Sequence, residues 1–263
     1  MTTIKSEAEL CPDCGRPFEY EHTSYCGINI MCRIECPCVE DKRKQTRERG
    51  RQIIRDNTRS AIGLGKRTLR ARFDNFRPDD GQHEAFRVSC SFAKQYIAGE
   101  NDGTGLLLMG GVGSGKTHLA AAIAHAVIDN TDVPDDLAER AGIGSADNEA
   151  IYTGILFTGT VELMERIRAE YNGAQDAAGI IRRYQDARLL ILDDLCAEKP
   201  SEWVQERLFQ IIDHRYNEEL PTIITTNETP DRLQHKLGDR IADRLRTMCR
   251  CVPIRSRSHR QTV

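Results

Sequence analysis

The sequence predicts an α/β fold in which a parallel sheet is flanked by helices, preceded by a small cysteine-rich module. Two observations carry this prediction. Beyond Phe73, short apolar runs alternate with longer patterns of helical spacing, which is typical of β-α units stacked around a parallel sheet. Before that point, six of the ten cysteines lie between Cys11 and Cys38, and such clustering indicates a role other than packing.

Shifts in composition divide the chain into three segments. We expect the cysteine-rich module over residues 1–40, a basic linker over residues 41–72 and the α/β body over residues 73–263. A chain of 263 residues is long enough for one such body and an appendage. Residues 131–148 are acidic and poor in large apolar side chains, which indicates a surface loop. The strands of the body are predicted at residues 105–109, 154–158, 189–192 and 221–226.

Composition and the first ten residues bear on the cellular location of the protein. Apolar residues make up 39% of the chain, charged residues 29%, and the net charge is −3. No run approaches the roughly twenty apolar residues that cross a bilayer. Residues 1–10 also lack the basic and apolar blocks of a secretory signal. We therefore expect a cytoplasmic protein with no membrane partner, in which thiols stay reduced.

A phosphate-loop pattern, G-x-x-x-x-G-K-[ST], is matched in full at residues 110–117. A predicted strand precedes it and a good helix former follows it. Glycines let backbone N–H groups turn toward a polyphosphate, and the helix N-terminus adds positive potential. Lys116 would neutralise the β- and γ-phosphates of ATP. A glycine-rich turn without a ligand is the alternative. The predicted ATP-binding residues are Gly110, Gly111, Val112, Gly113, Ser114, Gly115, Lys116, Thr117 and His118.

Two adjacent carboxylates, Asp193 and Asp194, follow the apolar run 189–192. Adjacent acids repel one another, so a cation or an ordered water is expected beside them. We predict that Asp193 and Thr117 hold Mg²⁺ and that Asp194 acts as the general base. A helix N-cap is the alternative, although one Asp would suffice for it. Asn227 ends the next strand and is expected to reach the γ-phosphate or its attacking water.

The phosphate loop, the paired aspartates and the Thr-Thr-Asn strand end, in this order, resemble the AAA+ ATPases. Three flanking motifs, at residues 73–76, 211–216 and 238–245, look like those of the DnaC/DnaI helicase loaders and their transposition relative IstB. The similarity covers most of the chain, residues 73–260. One departure is Asp194, where many AAA+ proteins carry Glu; a shorter side chain can slow hydrolysis, although loaders of the DnaI kind tolerate Asp.

The resemblance implies roles for three arginines. In this family, the arginine near the end of the motif at residues 238–245 enters the ATP site of a neighbouring subunit. That position corresponds to Arg244, with Arg240 as the second candidate, and a solvated helix with i,i+4 ion pairs is the alternative. A guanidinium supplied across an interface would stabilise the transferring phosphoryl group. Arg260 resembles the sensor arginine that contacts the γ-phosphate in its own subunit, with a frayed basic tail as the alternative.

Cys11 and Cys14 have the spacing of two thiolates that bind one zinc ion. A tetrahedral Zn²⁺ needs two further ligands, and we favour Cys36 and Cys38 because they close the module. Free thiols and an iron–sulfur cluster are the alternatives. The resemblance to DnaI-type loaders implies that the module contacts the replicative helicase. The other possible zinc ligands are Cys26, Cys32 and His22.

Twelve basic residues lie between Lys42 and Arg72, against two acidic ones. Such a segment can bind single-stranded DNA through counterion release. No aromatic residue that could stack on a base precedes Phe73 within it, so a solvated helical linker is the alternative.

Together with these features, the resemblance to the DnaC/DnaI loaders implies ATP-dependent loading of a hexameric replicative helicase onto single-stranded DNA. The loader is expected to form homo-oligomers when it binds ATP or the helicase. An IstB-like transposition helper that acts on target DNA is the second hypothesis. A small-molecule P-loop kinase would leave Arg244 and the basic linker without a role. An ATP-binding scaffold would differ from an active enzyme only at Asp194.

Overall fold

The computed structural model describes residues 9–25, 28–144, 154–173, 177–196 and 200–255. Its strands are β1 (Tyr20–Tyr25), β2 (Ile28–Arg33), β3 (Gly105–Gly110), β4 (Ile155–Gly159), β5 (Leu189–Leu195), β6 (Thr222–Thr226) and β7 (Cys249–Ile254). Its α-helices are α1 (Pro37–Ala61), α2 (His83–Ile97), α3 (Lys116–Asn130), α4 (Asp135–Gly142), α5 (Thr160–Gly173), α6 (Ala177–Gln185), α7 (Glu202–Asn217), α8 (Pro230–Leu237) and α9 (Asp239–Met248).

The chain forms two compact units. One comprises Met1–Ile54 with Val133–Glu149, and the other comprises Arg55–Asp132 with Ala150–Val263. Helix α1 begins in the first unit and ends in the second. The domain limits at residues 40 and 72 stay predictions.

The second unit is built on a five-stranded parallel sheet in the order β4-β5-β6-β3-β7. The four strands predicted from the sequence all belong to it. Neighbouring side chains of β3 enter opposite cores: Leu106 and Leu108 pack on one face of the sheet and Leu107 on the other. Strands buried on both faces read as continuous apolar runs, and the predicted α/β fold with helices on both sides is confirmed.

Local signals at the helix ends position the last third of this unit. The Ser201 hydroxyl accepts from the backbone N–H of Val204 and caps α7, and Thr229 caps α8 in the same way, with Pro230 in the first turn. Gly238, at a φ of 84°, ends α8 and allows α9 to begin at once. This break sets the direction of α9, which carries Arg244.

Strand β7 was not predicted. Its sequence contains an arginine and a proline, and a proline cannot donate to a sheet ladder. Pro253 pairs in register with Met109 of β3, but β7 lies at the edge of the sheet, where proline is tolerated. Only the strand order reveals that this position tolerates proline.

The first unit combines the β1–β2 antiparallel hairpin with α1 and α4. The surface loop predicted over residues 131–148 is wrong in part, because α4 lies within it. Ala138 and Ala141 are fully buried, and a Cβ on Gly50 of α1 would lie 1.7 Å from the Ala138 carbonyl oxygen. The two backbones meet through small residues, which explains why the segment lacks the large apolar side chains of an amphipathic helix.

Candidate active site and metal centre

The predicted phosphate loop joins β3 to α3, from Gly110 to Lys116. Gly113 and Gly115 have φ values of 80° and 92°, a region where a Cβ is unfavourable. A Cβ on Gly115 would also lie 2.8 Å from the Phe76 ring. Two of the predicted glycines are therefore required by the backbone path of the loop itself.

The side chain of Lys116 turns back into this loop. Its Nζ donates to the carbonyl oxygens of Gly110 and Gly111 and to Oδ1 of Asn227, each at 2.8 Å. The side chain is buried, so its charge faces protein dipoles rather than bulk water. Phosphate oxygens would be stronger acceptors than these neutral groups. The position of Lys116 suits the phosphate-neutralising role predicted for it.

Oxygen ligands suited to a divalent cation converge beside the loop. The hydroxyls of Thr117 and Thr225 donate to the same oxygen of Asp193, at 2.8 and 2.6 Å. Burial raises the pKa of Asp193; the two hydroxyl bonds oppose this effect, and the charge of Asp194 adds to it. Mg²⁺ binds carboxylate and hydroxyl oxygens, so Thr117 and Asp193 fit the predicted ion. A cation here would favour the carboxylate form that burial disfavours.

Asp194 faces a different environment from Asp193. Its φ is 57°, which is strained for a residue other than glycine, and the pairing of β5 with β6 shifts register around it. Its N–H donates to the Thr225 hydroxyl at 2.9 Å, and its Oδ1 accepts from Nδ2 of Asn227 at 3.0 Å. The register shift therefore separates the two carboxylates: Asp193 is half-buried, whereas Asp194 is exposed.

A cleft of about 920 Å³ is lined by residues 112–118 of the predicted loop, without Gly110 and Gly111, and by the predicted aspartates and Asn227. The volume of this cleft is sufficient for a nucleotide. Sequence reasoning missed its other wall. Seven residues from the segment before α2 line it: Arg67, Thr68, Ala71, Asn75, Phe76, Arg77 and Gln82. The spacing of the phosphate loop contains no signal for residues so far away along the chain.

Two side chains join this wall to the phosphate loop. Gln82 is buried, and its Nε2 donates to the Ser114 carbonyl at 3.0 Å. His118 lines the cleft, and its Nε2 lies 2.8 Å from the carbonyl oxygen of Arg72, while its ring meets Phe76 edge-on. The contacts of His118 hold the wall against α3, a role that its place in the motif did not indicate. Its predicted contact with ATP stays a prediction.

The predicted arginines lie apart from this cleft or outside the described residues. Nε of Arg244 donates to Oδ1 of Asp213 at 2.7 Å, and neither Arg244 nor Arg240 is among the described residues that line the cleft of their own chain. This arrangement agrees with an action on another subunit and does not test it. Arg260 lies outside the described residues.

Part of the basic linker is occupied by ion pairs within its own unit. In the first unit, Arg51 pairs with Asp135 and Arg47 lies 3.6 Å from Glu139. In the second unit, Arg59 is 2% exposed and pairs with Asp129. Cations engaged in this way are less available to DNA phosphates. Exposed linker residues for which the described part of the chain shows no carboxylate partner are Lys44, Arg49, Lys66, Arg67 and Arg70.

The four favoured cysteines come together in the first unit. The sulfur atoms of Cys11, Cys14, Cys36 and Cys38 all lie within 4.8 Å of one another, with 3.5 Å between Cys11 and Cys38 and 3.4 Å between Cys14 and Cys36. Zn–S bonds of about 2.3 Å in a tetrahedral site place sulfurs about 3.8 Å apart. The cluster therefore fits a four-coordinate Zn²⁺. Cys26 and the side chains of His22 and Cys32 lie outside the described residues.

Backbone N–H groups favour the thiolate form at one member of this cluster, Cys11. Hydrogen bonds from the backbone of Asp13 and then Cys14 lower the pKa of Cys11 to about 7. Gly15, at a φ of 71°, closes the turn by donating its N–H to the Cys11 carbonyl at 2.8 Å. A thiolate is the form that binds metal, so the turn favours the ligand state of Cys11.

None of the helices in the described ranges combines the length and the apolar character needed to cross a bilayer.

Comparison with known proteins gives one family model and a set of relatives. Residues 146–263 match the family described as IstB-like ATP binding protein. The replicative helicase loader DnaI of Bacillus subtilis (strain 168) is 28% identical over 205 residues, which cover 76% of this chain and 56% of DnaI. The replicative helicase loader DnaC of Escherichia coli (strain K12) is 26% identical over 180 residues, which cover 66% of this chain and 62% of DnaC.

The fold agrees with these matches. The crystal structure of the DnaC helicase loader aligns with a TM-score of 0.59 at 26% identity, covering 73% of this chain and 100% of that one. The chain spans less than two thirds of the length of the two curated relatives. The resemblance predicted from the motifs is confirmed: part of the chain matches the IstB-like family model, and the chain is similar in sequence and in its α/β fold to the DnaC and DnaI helicase loaders.

Proposed function

We propose that this protein uses ATP and Mg²⁺ to load a hexameric replicative helicase onto single-stranded DNA. The observation that carries the proposal is the convergence of Lys116, Thr117 and Asp193 on one cleft, in a chain similar to DnaI and DnaC. Lys116 would exchange its carbonyl partners for phosphate oxygens. Thr117 and Asp193 would hold Mg²⁺, which supplies charge stabilisation for the transferring phosphoryl group.

Asn227 connects the two halves of the proposed ATPase site. It accepts from Lys116 and donates to Asp194, so its amide bridges the phosphate-binding cation and the proposed base. When Lys116 turns to a phosphate, Asn227 Oδ1 would lose this donor and become available to the attacking water. Asp194 would then accept the proton of that water.

We expect Asp194→Asn to lower ATP turnover about 100-fold or more, because a positioned general base contributes about that much. The amide keeps an acceptor for Asn227, so ATP binding should remain. Steady-state turnover and the equilibrium binding of a fluorescent ATP analogue measure the two effects separately. Unchanged turnover in the variant would exclude Asp194 as the base and favour another water-positioning group.

The cysteine cluster, by this proposal, holds a structural Zn²⁺ that folds the helicase-contacting module. Such a short polar stretch has little apolar surface to bury, and a closed four-ligand site supplies folding energy directly. The same module is the part of the chain that we assign to helicase binding, by similarity to DnaI-type loaders.

One zinc ion per chain is expected in protein purified without chelators, as measured by elemental mass spectrometry. Cys14→Ser should remove most of it because the site needs four ligands, and the metal should also be released as acidification protonates the thiolates. Cys90→Ser, which changes a cysteine of the second unit, should keep full zinc content. Stoichiometric iron with visible absorption would contradict the zinc assignment.

The remaining parts of the proposal concern assembly and DNA. Arg244 would act on ATP bound by a neighbouring copy, which links hydrolysis to homo-oligomer formation in the cytoplasm. Arg260 would serve as the sensor within its own subunit. Single-stranded DNA would contact the linker cations that remain exposed, among them Arg67, which lines the cleft of the second unit.

A transposition helper is the second candidate function. The family model that matches residues 146–263 is IstB-like, and the same ATPase site would serve that role with a transposase and double-stranded target DNA as partners. The cysteine cluster and the similarity to DnaI favour the loader.

The proposal is tested with the replicative helicase of the source organism. A complex should form on size exclusion, and Cys14→Ser should abolish it while ATP turnover persists. Single-stranded DNA should stimulate turnover more than duplex DNA does. Lys116→Ala is the matched control, which should bind the helicase through an intact module but hydrolyse no ATP. Absence of a helicase complex, together with stimulation by duplex DNA, would favour the transposition helper.

A further inference from the structure

Arg244 is held in one orientation by two residues of α7. Its Nε donates to Oδ1 of Asp213 at 2.7 Å, and its guanidinium carbon lies 5.0 Å from the centroid of the Tyr216 ring. Residues three apart on a helix share a face, so Asp213 and Tyr216 reach α9 together. The carboxylate grips one edge of the guanidinium and the aromatic ring covers its flat side.

The bond through Nε leaves the far edge of Arg244 for another partner. A guanidinium has five N–H donors in a planar fork, and its two terminal nitrogens form the pair that matches a phosphate. The terminal nitrogen Nη1 lies 3.7 Å from a carboxylate oxygen of Asp243, whose side chain is 75% exposed. An exposed contact of that length is weak. Within the described residues, the hydrogen bond of Arg244 uses Nε and not the terminal N–H pair, and the side chain is 29% exposed.

Arg240, one turn earlier on α9, contacts an aromatic ring but has, within the described ranges, no carboxylate comparable to Asp213. Its guanidinium lies 4.0 Å from the centroid of the Phe209 ring, and it forms no ion pair with the residues that the structure describes. A ring fixes the plane of a guanidinium but leaves it free to rotate within that plane. Of the two arginines, only Arg244 has its guanidinium fixed, in the described part of the chain, both by a ring against its face and by a carboxylate at its edge.

We propose that Asp213 is a positioning residue that aims the terminal N–H pair of Arg244 at the γ-phosphate of ATP bound by a neighbouring copy of this chain. This inference rests on the proposed function, in which Arg244 acts across a subunit interface. Asp213 sits on α7, outside its own cleft, and affects hydrolysis only through the arginine it holds. A long side chain that is already oriented loses less rotamer freedom when it reaches its phosphate.

The test uses mixed oligomers of full-length chains. Asp194→Asn gives a subunit with a dead ATP site and an intact Arg244. Arg244→Ala gives a subunit with an intact site and no arginine to offer. Each alone should be inactive, and a one-to-one mixture should regain about one quarter of the wild-type rate, because random assembly joins an intact site to an intact arginine at about one interface in four.

Asp213→Ala is then placed in one subunit type at a time. In the Asp194→Asn subunit, which supplies the arginine, it should lower the turnover of the mixture by about tenfold or more. In the Arg244→Ala subunit, which supplies the site, it should have no effect. Asp213→Asn in the arginine-supplying subunit should recover much of the loss, because its amide oxygen still accepts from Nε.

The results distinguish the positioning role of Asp213 from the action of Arg244 across the subunit interface. Equal losses from Asp213→Ala in either subunit would overturn the positioning role and make Asp213 a packing residue between α7 and α9. No turnover in the parent mixture would overturn the action of Arg244 across the interface, and the positioning role with it. Thermal unfolding of each variant shows whether a loss comes from folding.

Discussion

Asp193→Asn is expected to abolish Mg²⁺-dependent ATP turnover and, at the same time, to stabilise the protein in the absence of nucleotide. The loss of a carboxylate ligand removes several kcal/mol of metal-based charge stabilisation, so turnover should fall at least about 100-fold. The amide oxygen of the new side chain can still accept from the hydroxyls of Thr117 and Thr225, which now donate to the carboxylate. The substitution therefore removes charge without removing the hydrogen-bond acceptor.

The sign of the stability effect follows from the pKa of Asp193, which burial raises above its ordinary value. A carboxyl group with a raised folded-state pKa stabilises the fold below its unfolded-state pKa, and that contribution is lost as pH rises through the folded-state value. At neutral pH the ionised Asp193 consequently costs stability, and the neutral amide avoids this cost. We expect a gain of about 1 kcal/mol, of the size found when other strained functional sites are relieved.

Thermal unfolding with and without Mg²⁺-ATP measures the stability half of this prediction, and a steady-state ATPase assay measures the turnover half. Wild-type protein should melt at a higher temperature with Mg²⁺-ATP, whereas Asp193→Asn should start higher and gain little from the ligand. Asp194→Asn is the matched control, since it should lose turnover but keep the ligand-induced increase. A Mg²⁺-ATP-induced increase as large in Asp193→Asn as in wild type would refute the assignment of Asp193 as the metal ligand.

The pH dependence of turnover has the same origin. Mg²⁺ needs the ionised carboxylate, so kcat/KM should fall on the acid side as pH drops through the raised pKa of Asp193. The fall should begin at a higher pH than an ordinary aspartate would give, and excess Mg²⁺ should shift it to lower pH. A profile that excess Mg²⁺ leaves unchanged would mean that another group controls the acid limb.

Arg215→Met is expected to cause the largest loss of stability among single substitutions in the second unit. Arg215 is 0% exposed. Its guanidinium donates to the carbonyl oxygens of Tyr184, Gln185, Ala187 and Pro221 and to the Thr222 hydroxyl, at 2.6 to 3.1 Å. These acceptors end α6 and flank β5 and β6, so one side chain satisfies a set of buried carbonyls at the base of the sheet.

Methionine at position 215 would fill much of the space but leave these acceptors without donors. Each buried acceptor left without a donor costs about 1–3 kcal/mol, so several together amount to a large share of the roughly 5–15 kcal/mol that a domain usually has. Arg215→Lys should lose nearly as much, because an ammonium cannot span acceptors on opposite sides of a planar fork. Burial lowers the pKa of Arg215 to about 10, so the wild-type group stays charged at neutral pH.

Urea-induced unfolding measures the effect, with Arg87→Ala as the control. Arg87 is an exposed arginine of α2 that pairs with Glu84, which is also exposed, and such substitutions change stability by about 0.5 kcal/mol or less. If Arg215→Met unfolded at the same urea concentration as the control, the carbonyl cluster would not depend on the arginine.

Much of the second unit was predictable from local patterns. The apolar runs that became β3, β4, β5 and β6 are buried on both faces, so their sequence alone distinguishes them from amphipathic surface elements. The edge strand β7 and the helix α4 were not predictable, because Pro253 and the small residues Ala138 and Ala141 are acceptable only against particular neighbours. Their environments come from distant parts of the chain.

The candidate site divides in the same way. The phosphate loop and the paired aspartates are contiguous in sequence, and their chemistry follows from residue type and spacing. Three other features join residues that are far apart in the chain. They are the cleft wall formed by residues 67–82, the hydrogen bond from Asn227 to Asp194 and the hydrogen bond from Arg244 to Asp213. Local sequence patterns do not predict contacts between residues so distant in the sequence.

The sequence by itself determined the α/β fold class, the place of the predicted phosphate loop between a strand and a helix, and the group of cysteines among which a metal site was predicted. Short-range spacing and hydrophobic periodicity are sufficient for these, since each depends on neighbours within one strand, turn or helix. Tertiary structure alone decided which linker cations form ion pairs, which carboxylate is half-buried against Thr117 and which arginine is bonded to Asp213 through Nε. These properties depend on burial and on charge partners brought together by folding, and burial is what shifts a pKa or fixes a long side chain.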